Sequence, residues 1–252
     1  MTTTSERSVL VTGGGRGIGA ACALLCAQRG WAVAVNFASD AASAQAVVAR
    51  IHAIGGNAIA VQADVSNEAQ VLAMFARIDA ELPPLWGLVN NAGVVDVAAR
   101  VDAMTLARWQ RMFAINVFGT FLCAREAVRR MSTRHGGAGG AIVNLSSAAA
   151  RIGSPKNYVD YAAAKGAIDT FTMGLGKELA AEGVRVNAVR PGIIDTEIHA
   201  SGGQPDRVAQ MAAQLPMQRA GTADEVARAI VWLLSDDSTY TTGSIVDVTG
   251  GR

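Results

Sequence analysis

The sequence predicts a single α/β domain, residues 1–252, built on a doubly wound parallel sheet of about seven strands with helices on both faces. Two observations carry this prediction. Short apolar runs alternate with helical patterns along the whole chain, and each apolar run is continuous instead of alternating with polar residues. Continuous apolar strands are typical of parallel sheets that are buried on both faces.

The strands and helices of the first half follow one another regularly. Glycine or proline ends most of the helical patterns, as at Gly30, Gly55 and Pro83, which supports the assignment of the boundaries. The predicted strands are 8–12, 31–37, 57–63 and 85–90, and the predicted helices are 18–29, 40–54, 67–81 and one long helix over 105–131.

The second half continues the alternation, with one interruption. Strands are predicted at 141–145, 184–189 and 244–248, and helices at 157–182 and 224–234. The stretch 195–221 has weak patterning and reads as an excursion from the sheet. Ligands of such sheets bind outside the carboxyl ends of the strands, so the residues just after each strand are the candidates for function.

The composition excludes several classes of protein. With 252 residues, 50% of them hydrophobic, and a net charge of +1, the chain is not disordered and has no basic excess for nucleic acid. No apolar run approaches the length of about 20 residues that spans a membrane. Residues 1–8 are polar and lack a signal-peptide core, so we expect a cytoplasmic protein.

Cys22, Cys26 and Cys123 are interpreted as buried, reduced thiols.

A glycine-rich turn follows the first strand and opens the first helix. It reads Thr12-Gly-Gly-Gly-Arg-Gly-Ile-Gly19. Glycines in this context let the backbone approach a pyrophosphate, which then lies on the N–H groups of the helix N-terminus. The strand–turn–helix context favours a dinucleotide site over a tight turn without a ligand.

Tyr161 and Lys165 are four residues apart on a predicted helix and therefore share a face. A phenol with its usual pKa near 10 is a poor acid–base catalyst at neutral pH, and a nearby ammonium lowers that pKa. The chain has only three Tyr and three Lys, so chance is a weak explanation of the pair. Tyr158 has Ala162 at the corresponding position, and it either lines a pocket or packs.

These motifs, in this order, resemble the short-chain dehydrogenase/reductase family over residues 7–251. The matching positions are Thr12-Gly13-x-x-x-Gly17-x-Gly19, Asn90-Asn91-Ala92-Gly93, Asn116, Ser147, Tyr161-x-x-x-Lys165 and Pro191-Gly192. The resemblance implies an oxidoreductase that transfers a hydride between a nicotinamide cofactor and a carbonyl or secondary alcohol. It also implies a homotetramer and no metal.

The resemblance assigns roles to four residues. Tyr161 is the implied general acid/base, Ser147 positions the reacting oxygen, and Lys165 tunes the phenol. Asn116 is implied to stabilise a distortion of its helix and to hold a water in a proton relay that runs from Tyr161 through a ribose hydroxyl and Lys165. Ser147 stands 14 residues before Tyr161, one more than is usual in the family, so the intervening loop carries an extra residue. Ser146 is expected to be a structural hydroxyl.

The end of the second strand predicts NADP over NAD. NAD-binding sheets place an acid there to bind the ribose hydroxyls, whereas this chain has Phe37 and no carboxylate before Asp40. Arg16 is positioned as in family members that bind NADP, and Ser39 offers a further hydrogen bond. The cofactor-binding set implied by the motifs is Gly13, Gly15, Arg16, Gly17, Ile18, Gly19, Phe37, Ala38, Ser39, Asp64, Val65, Asn90, Ala92, Gly93, Tyr161, Lys165, Pro191, Gly192, Ile194 and Thr196.

The sequence leaves the substrate open. The excursion at 195–221 falls where the family carries its substrate lid, and Gly202 and Gly203 suit local hinges. The leading hypothesis is a carbonyl reductase or alcohol dehydrogenase. The alternatives are a 3-oxoacyl carrier-protein reductase, a sugar (glucose) 1-dehydrogenase, or a non-catalytic NADP-binding sensor, which the complete Ser147, Tyr161 and Lys165 set disfavours.

Two surface patterns allow two interpretations each. A stripe of arginines on the long helix suits an acyl carrier protein, although a solvated helix face is favoured; it consists of Arg125, Arg129, Arg130 and Arg134. The small residues 162–164, Gly166 and Ala167 either let helices of two subunits approach closely or pack tightly within the chain.

Overall fold

The computed structural model describes residues 7–252, except for the side chain of His199, and shows seven parallel strands in one sheet of order β3-β2-β1-β4-β5-β6-β7. The predicted doubly wound parallel sheet is thereby confirmed. Residues 1–6, which contribute to the expectation of a cytoplasmic protein, lie outside the described residues. The strands are β1 Ser8–Val11, β2 Ala32–Phe37, β3 Ala58–Gln62, β4 Leu85–Asn90, β5 Gly140–Leu145, β6 Val184–Pro191 and β7 Ile245–Val248.

Helices connect the strands and cover both faces of the sheet. In chain order they are α1 Gly17–Gln28, α2 Ala41–Ala53, α3 Glu68–Glu81, α4 Leu106–Phe113, α5 Gly119–Met131, α6 Ala149–Ile152, α7 Val159–Leu179, α8 Ile198–Ser201, α9 Arg207–Ala212 and α10 Ala223–Leu234.

Alternate residues of each strand point to opposite faces of the sheet, and this creates two cores. In β2, Val33 and Val35 pack among α1, α2 and α10, whereas Ala32 and Ala34 pack on the face covered by α3, α5 and α7. All strands run in the same direction, so their carboxyl ends meet at one edge. The chain order reverses between β1 and β4, and this switch point is where such sheets form a ligand-binding crevice.

The long helical stretch predicted over 105–131 runs without a break from Leu106 to Met131 and contains one irregularity. Between α4 and α5 the chain forms a π-helical segment, Ala114–Phe118, with the buried Asn116 at its centre. The Asn116 amide donates to the carbonyl oxygen of Met112, four residues earlier, at 3.0 Å. A side chain that bonds this carbonyl competes with the regular backbone ladder, which accounts for the local widening of the helix.

The predicted excursion leaves the sheet and returns to it at one place. Ile194 and Gly221 form an isolated parallel bridge, and the Asp195 N–H donates to the Gly221 carbonyl at 2.9 Å. Between these ends the chain forms only α8 and α9, whose short length explains the weak pattern in the sequence. Directly after the bridge, Thr222 and Glu225 form a reciprocal capping box that starts α10.

The three cysteines are buried free thiols, as predicted. Within residues 7–252, no group of His, Cys, Asp and Glu side chains has the arrangement of a metal site. No helix in this part of the chain has both the length and the apolar character needed to cross a bilayer.

Candidate active site

The glycine-rich turn is fixed to the strands on both sides of β1. Backbone N–H groups of Gly13 and Gly14 donate to the side-chain and backbone oxygens of Asn36, at 3.2 and 2.8 Å. On the other side, the Thr12 hydroxyl oxygen accepts from the N–H groups of Asn91 and Ala92, both at 3.0 Å. The turn is therefore held by β2 and by the segment that follows β4.

The start of α1 fits a pyrophosphate. A Cβ atom at Gly19 would lie 2.4 Å from the Gly13 carbonyl oxygen, so only glycine lets the helix begin this close to the turn. No side chain caps the first turn of α1, and no acidic residue lies in it. Its N–H groups thus lack side-chain partners, and an anion is the ligand that suits them.

Two asparagines that the sequence analysis left out of the site organise this edge. Asn36 is buried in β2, and its amide donates to the carbonyl oxygens of Val61 and Ala63 at 3.3 and 3.0 Å. Asn91 donates to the carbonyl oxygens of Thr12 and Gly13 at 2.8 and 3.0 Å. A polar residue inside an otherwise apolar strand was the available signal for Asn36.

Asn90 lies in the framework of the sheet, although it was expected in the cofactor-binding set. Its side chain is buried, and the amide donates to Asn144 Oδ1 at 2.9 Å. The Asn144 amide donates in turn to the Thr172 hydroxyl at 2.9 Å. These bonds direct the Asn90 side chain into the interior, and they join β4, β5 and α7 beneath the cleft.

The carboxyl ends of β2 and β3 carry the other residues expected at the adenosine half of a dinucleotide. Phe37 is the last residue of β2, and Ala38 and Ser39 behind it are exposed. After β3, the Asp64 carboxylate accepts from the N–H and hydroxyl of Ser66 at 2.9 and 2.7 Å, and Val65 is buried.

One acid and one arginine lie near the end of β2, Asp40 and Arg16. The nearest acid, Asp40, caps α2 by accepting from the Ser43 N–H at 3.0 Å and from its hydroxyl at 2.6 Å. These two hydrogen bonds, and to a lesser extent the charge of Arg16, hold the pKa of Asp40 below its ordinary value. The Asp40 carboxylate is thus hydrogen-bonded to the first turn of α2, while the Arg16 side chain is exposed beside this carboxylate.

Ser147 and Tyr161 face each other at the carboxyl end of β5. The Ser147 hydroxyl is near enough to the Tyr161 phenol to lower its pKa, and the hydroxyl oxygen accepts from the Ala149 N–H at 3.1 Å. Burial raises the pKa of Tyr161 to about 12, and the Ser147 hydrogen bond opposes that rise. Ser146 instead donates to the Lys165 carbonyl at 3.3 Å, as its expected structural role requires.

Lys165 lies one turn beyond Tyr161, with its ammonium nitrogen 5.6 Å from the centre of the tyrosine ring. The nitrogen donates to the Leu145 carbonyl oxygen at 2.6 Å. Burial lowers the pKa of Lys165 to about 8, although the Asp169 carboxylate opposes this. The expected lowering of the Tyr161 pKa is not found in the chain alone, because burial of both groups outweighs their attraction.

Asn116 connects the π-helical segment to the cleft. Its amide oxygen accepts from the Val94 N–H at 3.1 Å, and its amide nitrogen donates to the Val94 carbonyl at 3.0 Å. A Cβ atom at Gly93 would lie 2.7 Å from this amide oxygen and 3.7 Å from the Lys165 nitrogen. Asn116 therefore positions the 91–95 backbone close to Lys165. Because a Cβ atom at position 93 would collide with the Asn116 amide, this position requires glycine.

A cavity of about 160 Å³ opens at this edge of the sheet. It brings together residues from the glycine-rich turn, β5, α7, β6 and the excursion. The lining residues that the sequence predicted are Ile18, Gly93, Ser147, Tyr161, Lys165, Pro191, Gly192, Ile194 and Thr196, whereas Gly15, Arg16 and Gly17 line an adjacent groove bounded by α1, α2 and α10.

The extra residue in the loop 148–160 is absorbed beside the cavity. The loop contains α6 and then a turn in which Gly153, Ser154 and Lys156 have φ values of 70°, 43° and 63°. Such positive φ values are uncommon outside glycine. Ile152 and Ser154 of this loop line the same cavity as Ser147 and Tyr161.

The arginine stripe on α5 is neutralised within the chain. Arg129 and Arg130 pair with the buried Glu126 at 2.8 and 3.2 Å, and Arg130 also pairs with Asp79 at 2.7 Å. Arg125 pairs with Glu68 at 2.7 Å. Arginines that are already paired with carboxylates of the same chain are typical of a solvated helix face. These pairs therefore favour that interpretation of the stripe over a docking site for an acidic carrier protein.

Comparison with known proteins identifies the family. The family model described as enoyl-(acyl carrier protein) reductase matches residues 13–252. The chain is 57% identical over 243 residues to the uncharacterized oxidoreductase YgfF of Escherichia coli (strain K12), covering 96% of this chain and 98% of that protein. It is 40% identical over 247 residues to cis-4-hydroxycyclohexanecarboxylate dehydrogenase of Sinomonas cyclohexanicum, covering 98% of this chain and 96% of that protein.

A solved structure agrees with these matches. The crystal structure of a short chain dehydrogenase from Burkholderia cenocepacia J2315 in complex with NADP has a TM-score of 0.89 and 32% sequence identity, and the alignment covers 98% of each chain. Fold, motif order and sequence similarity agree along nearly the whole length. The chain therefore belongs to the short-chain dehydrogenase/reductase family of NAD(P)-dependent oxidoreductases.

Proposed function

We propose that this oxidoreductase uses NADP to interconvert a carbonyl compound and a secondary alcohol, with Tyr161 as the general acid/base. One observation carries the proposal: Ser147, Tyr161 and Lys165 line the same cavity as Ile18 of the glycine-rich turn. A bound nicotinamide would supply the hydride at this place. The turn and the helix terminus that fit a pyrophosphate lie at the same edge of the sheet.

In the reducing direction, the Tyr161 hydroxyl gives its proton to the substrate oxygen, and in the oxidising direction it takes the proton back. With a pKa of about 12 in the chain alone, the phenol is protonated at neutral pH and ready to donate. The Ser147 hydroxyl bonds the same oxygen and fixes its position. The ammonium group of Lys165 lies close to the phenol. Its positive charge favours the phenolate of Tyr161 that remains after the proton has been donated.

Three features support NADP as the preferred cofactor. Phe37 ends β2 where an NAD site has an acid, the Asp40 carboxylate is engaged by Ser43, and the Arg16 side chain is exposed beside it. A 2′-phosphate placed there meets the exposed guanidinium of Arg16, while the nearest carboxylate, Asp40, is hydrogen-bonded to Ser43. The structural relative from Burkholderia cenocepacia was solved with NADP.

The lining of the cavity bears on the class of substrate. The neutralised arginine stripe argues against 3-oxoacyl carrier-protein reduction, and the apolar wall formed by Val95, Ile152 and Ile198 suits a ring ketone better than a sugar. The relative from Sinomonas cyclohexanicum is named for a ring alcohol that carries a carboxylate.

The variant Tyr161→Phe tests catalysis against simple cofactor binding. It removes the transferable proton and keeps the ring, so we expect a fall in kcat of about 10²–10⁴ on ring ketones, with NADPH affinity retained. Affinity is read from the change in NADPH fluorescence. Equal rates for the parent and the variant would show that Tyr161 is not the acid and would favour the sensor hypothesis.

We also propose that the chain forms a homotetramer. The helices α4, α5 and α7 expose large apolar side chains, including Trp109, Phe121 and Met173. On α7, a Cβ atom at Gly166 or Gly174 would meet nothing within 4 Å, so the helix surface is open and flat at both positions. A second copy of α7 fits such a surface, whereas Ala162 and Ala164 are already buried within the chain.

A further inference from the structure

Two arginines line the cavity that also contains Ser147 and Tyr161. Arg207 is the first residue of α9, in the excursion, and Arg252 follows β7. The same cavity holds Ser147 and Tyr161, so a substrate whose oxygen meets these hydroxyls extends toward one or both guanidinium groups.

The two arginines are held in place from different parts of the chain. The Arg207 guanidinium lies over the ring of Tyr158, 5.4 Å from its centre, and also bonds the side chain of Gln204. The Tyr158 hydroxyl donates to the Gly202 carbonyl at 3.4 Å, so the ring beneath Arg207 is itself fixed. The Arg252 carbonyl accepts from Arg151 at 3.4 Å, and Arg151 is anchored to Asp247 at 2.5 Å.

No side-chain carboxylate in the described part of the chain forms an ion pair with either guanidinium. Arg207 and Arg252 differ in this respect from the neighbouring Arg151 and from the arginines of α5. Burial, and to a lesser extent the charge of Arg207, lower the pKa of Arg252. Two like charges that share a partly buried pocket destabilise each other until an anion lies between them.

We propose that the substrate of this enzyme is a small carbonyl compound or secondary alcohol that carries a carboxylate, which Arg207 and Arg252 bind. The inference rests on the proposed function for its reacting end, at Ser147 and Tyr161. The carboxylate accepts hydrogen bonds from one or both guanidinium groups, and such charged pairs are stronger than neutral ones. Because Arg207 belongs to the excursion, binding of the carboxylate also holds α9 over the substrate.

A matched set of ring ketones tests the inference. The probes are 4-oxocyclohexanecarboxylate, its methyl ester and 4-methylcyclohexanone, each reduced with NADPH. We expect kcat/KM for the carboxylate to exceed that for the ester by about tenfold or more. Arg207→Gln and Arg252→Gln should each reduce this ratio severalfold, mainly through KM. Arg134→Gln, which changes an exposed arginine at the end of α5, should leave the ratio unchanged.

A binding measurement separates this inference from the proposed function. Calorimetric titration of the NADP-bound protein with cyclohexanecarboxylate should show binding at least about tenfold tighter than with cyclohexanecarboxamide, and Arg207→Gln should remove the difference. Equal affinities, or a ketone series in which the ester matches the carboxylate, would overturn the anionic substrate and leave the reductase intact. Arginine-dependent binding of the carboxylate without turnover of any ketone would instead contradict the proposed function.

Discussion

The ammonium nitrogen of Lys165 lies 2.6 Å from the carbonyl oxygen of Leu145, the last residue of β5. This bond holds the lysine at the floor of the cavity, where burial lowers its pKa from 10.5 to about 8. Asp169 provides a partly compensating negative charge one turn away. The protonation state of a buried group is therefore linked to the stability of the fold.

The first prediction concerns stability as a function of pH. Between about pH 8 and 10.5 the folded chain releases the Lys165 proton while the unfolded chain keeps it, so stability rises with pH in this window. The slope reaches at most about 1.4 kcal/mol per pH unit. In urea unfolding between pH 7 and 9.5, the difference in unfolding free energy between the parent and Lys165→Met should shift in favour of the parent as the pH rises, because the opposite trend from the buried thiols of Cys26 and Cys123 is common to both proteins. Parallel curves for the two proteins would contradict the lowered pKa.

The second prediction compares two adjacent hydroxyls. Ser147→Ala removes the group that bonds Tyr161 and the reacting oxygen, so kcat/KM should fall by about 10²–10³. Ser146→Ala removes only the bond to the Lys165 carbonyl and should cost about 1 kcal/mol of stability with a much smaller loss of rate. Steady-state kinetics on one ketone, with urea unfolding of both variants, measures the difference. A larger loss of rate for Ser146→Ala would reverse the assignment.

The third prediction concerns cofactor choice. Arg16→Ala removes the cation next to the end of β2, so KM for NADPH should rise about tenfold while KM for NADH changes little. Arg29→Ala is the control, because it changes an arginine at the opposite end of α1 that pairs with Asp237. Phe37→Asp should shift preference further toward NADH. An unchanged ratio of the two KM values in Arg16→Ala would remove the main support for NADP.

The fourth prediction concerns a buried ion pair next to Tyr161. Arg108 lies 2.7 Å from Asp160, and their side chains are 10% and 1% exposed. Arg108→Met leaves the Asp160 carboxylate buried without a partner and should cost about 3–5 kcal/mol. Arg100→Met breaks the exposed pair with Asp102 and should cost less than about 1 kcal/mol. Equal losses of unfolding free energy in urea would show that burial of the pair is unimportant.

The fifth prediction concerns assembly. Light scattering of the eluted protein should give four times the 26.0 kDa of the chain. Phe121 stacks on Phe171 with ring centres 4.0 Å apart and remains 37% exposed on the proposed contact face. A charge at this position, as in Phe121→Glu, should therefore lower the mass to that of a dimer or monomer. A monomeric parent protein would contradict the proposed tetramer.

The local parts of the fold and site were predictable from the sequence. Each strand is a continuous apolar run with a clear end, and the glycine-rich turn and the Tyr161–Lys165 pair are patterns of near neighbours. Such signals depend on the backbone over a few residues. They therefore locate β1, α1 and the catalytic face of α7 before the tertiary structure is known.

Contacts that depend on strand order were not predictable in the same way. Asn36 reaches the turn because β2 lies beside β1, and Asn90 reaches Asn144 because β5 lies beside β4. The π-helical segment at Asn116 depends on Val94, which comes from a different connection. Arg207 and Arg252 are 45 positions apart in the sequence, and only the folded chain brings them to one cavity.

The bridge between Ile194 and Gly221 brings the two ends of the excursion together, so the segment is an insertion between neighbouring points of the fold. The segment contributes Arg207 to the cavity, yet no strand of the sheet passes through it. Evolution can thus replace the segment, or an engineer can graft one from another member of the family, without disturbing the order of the strands. The selectivity of such an enzyme can diverge quickly while its acid–base machinery stays the same.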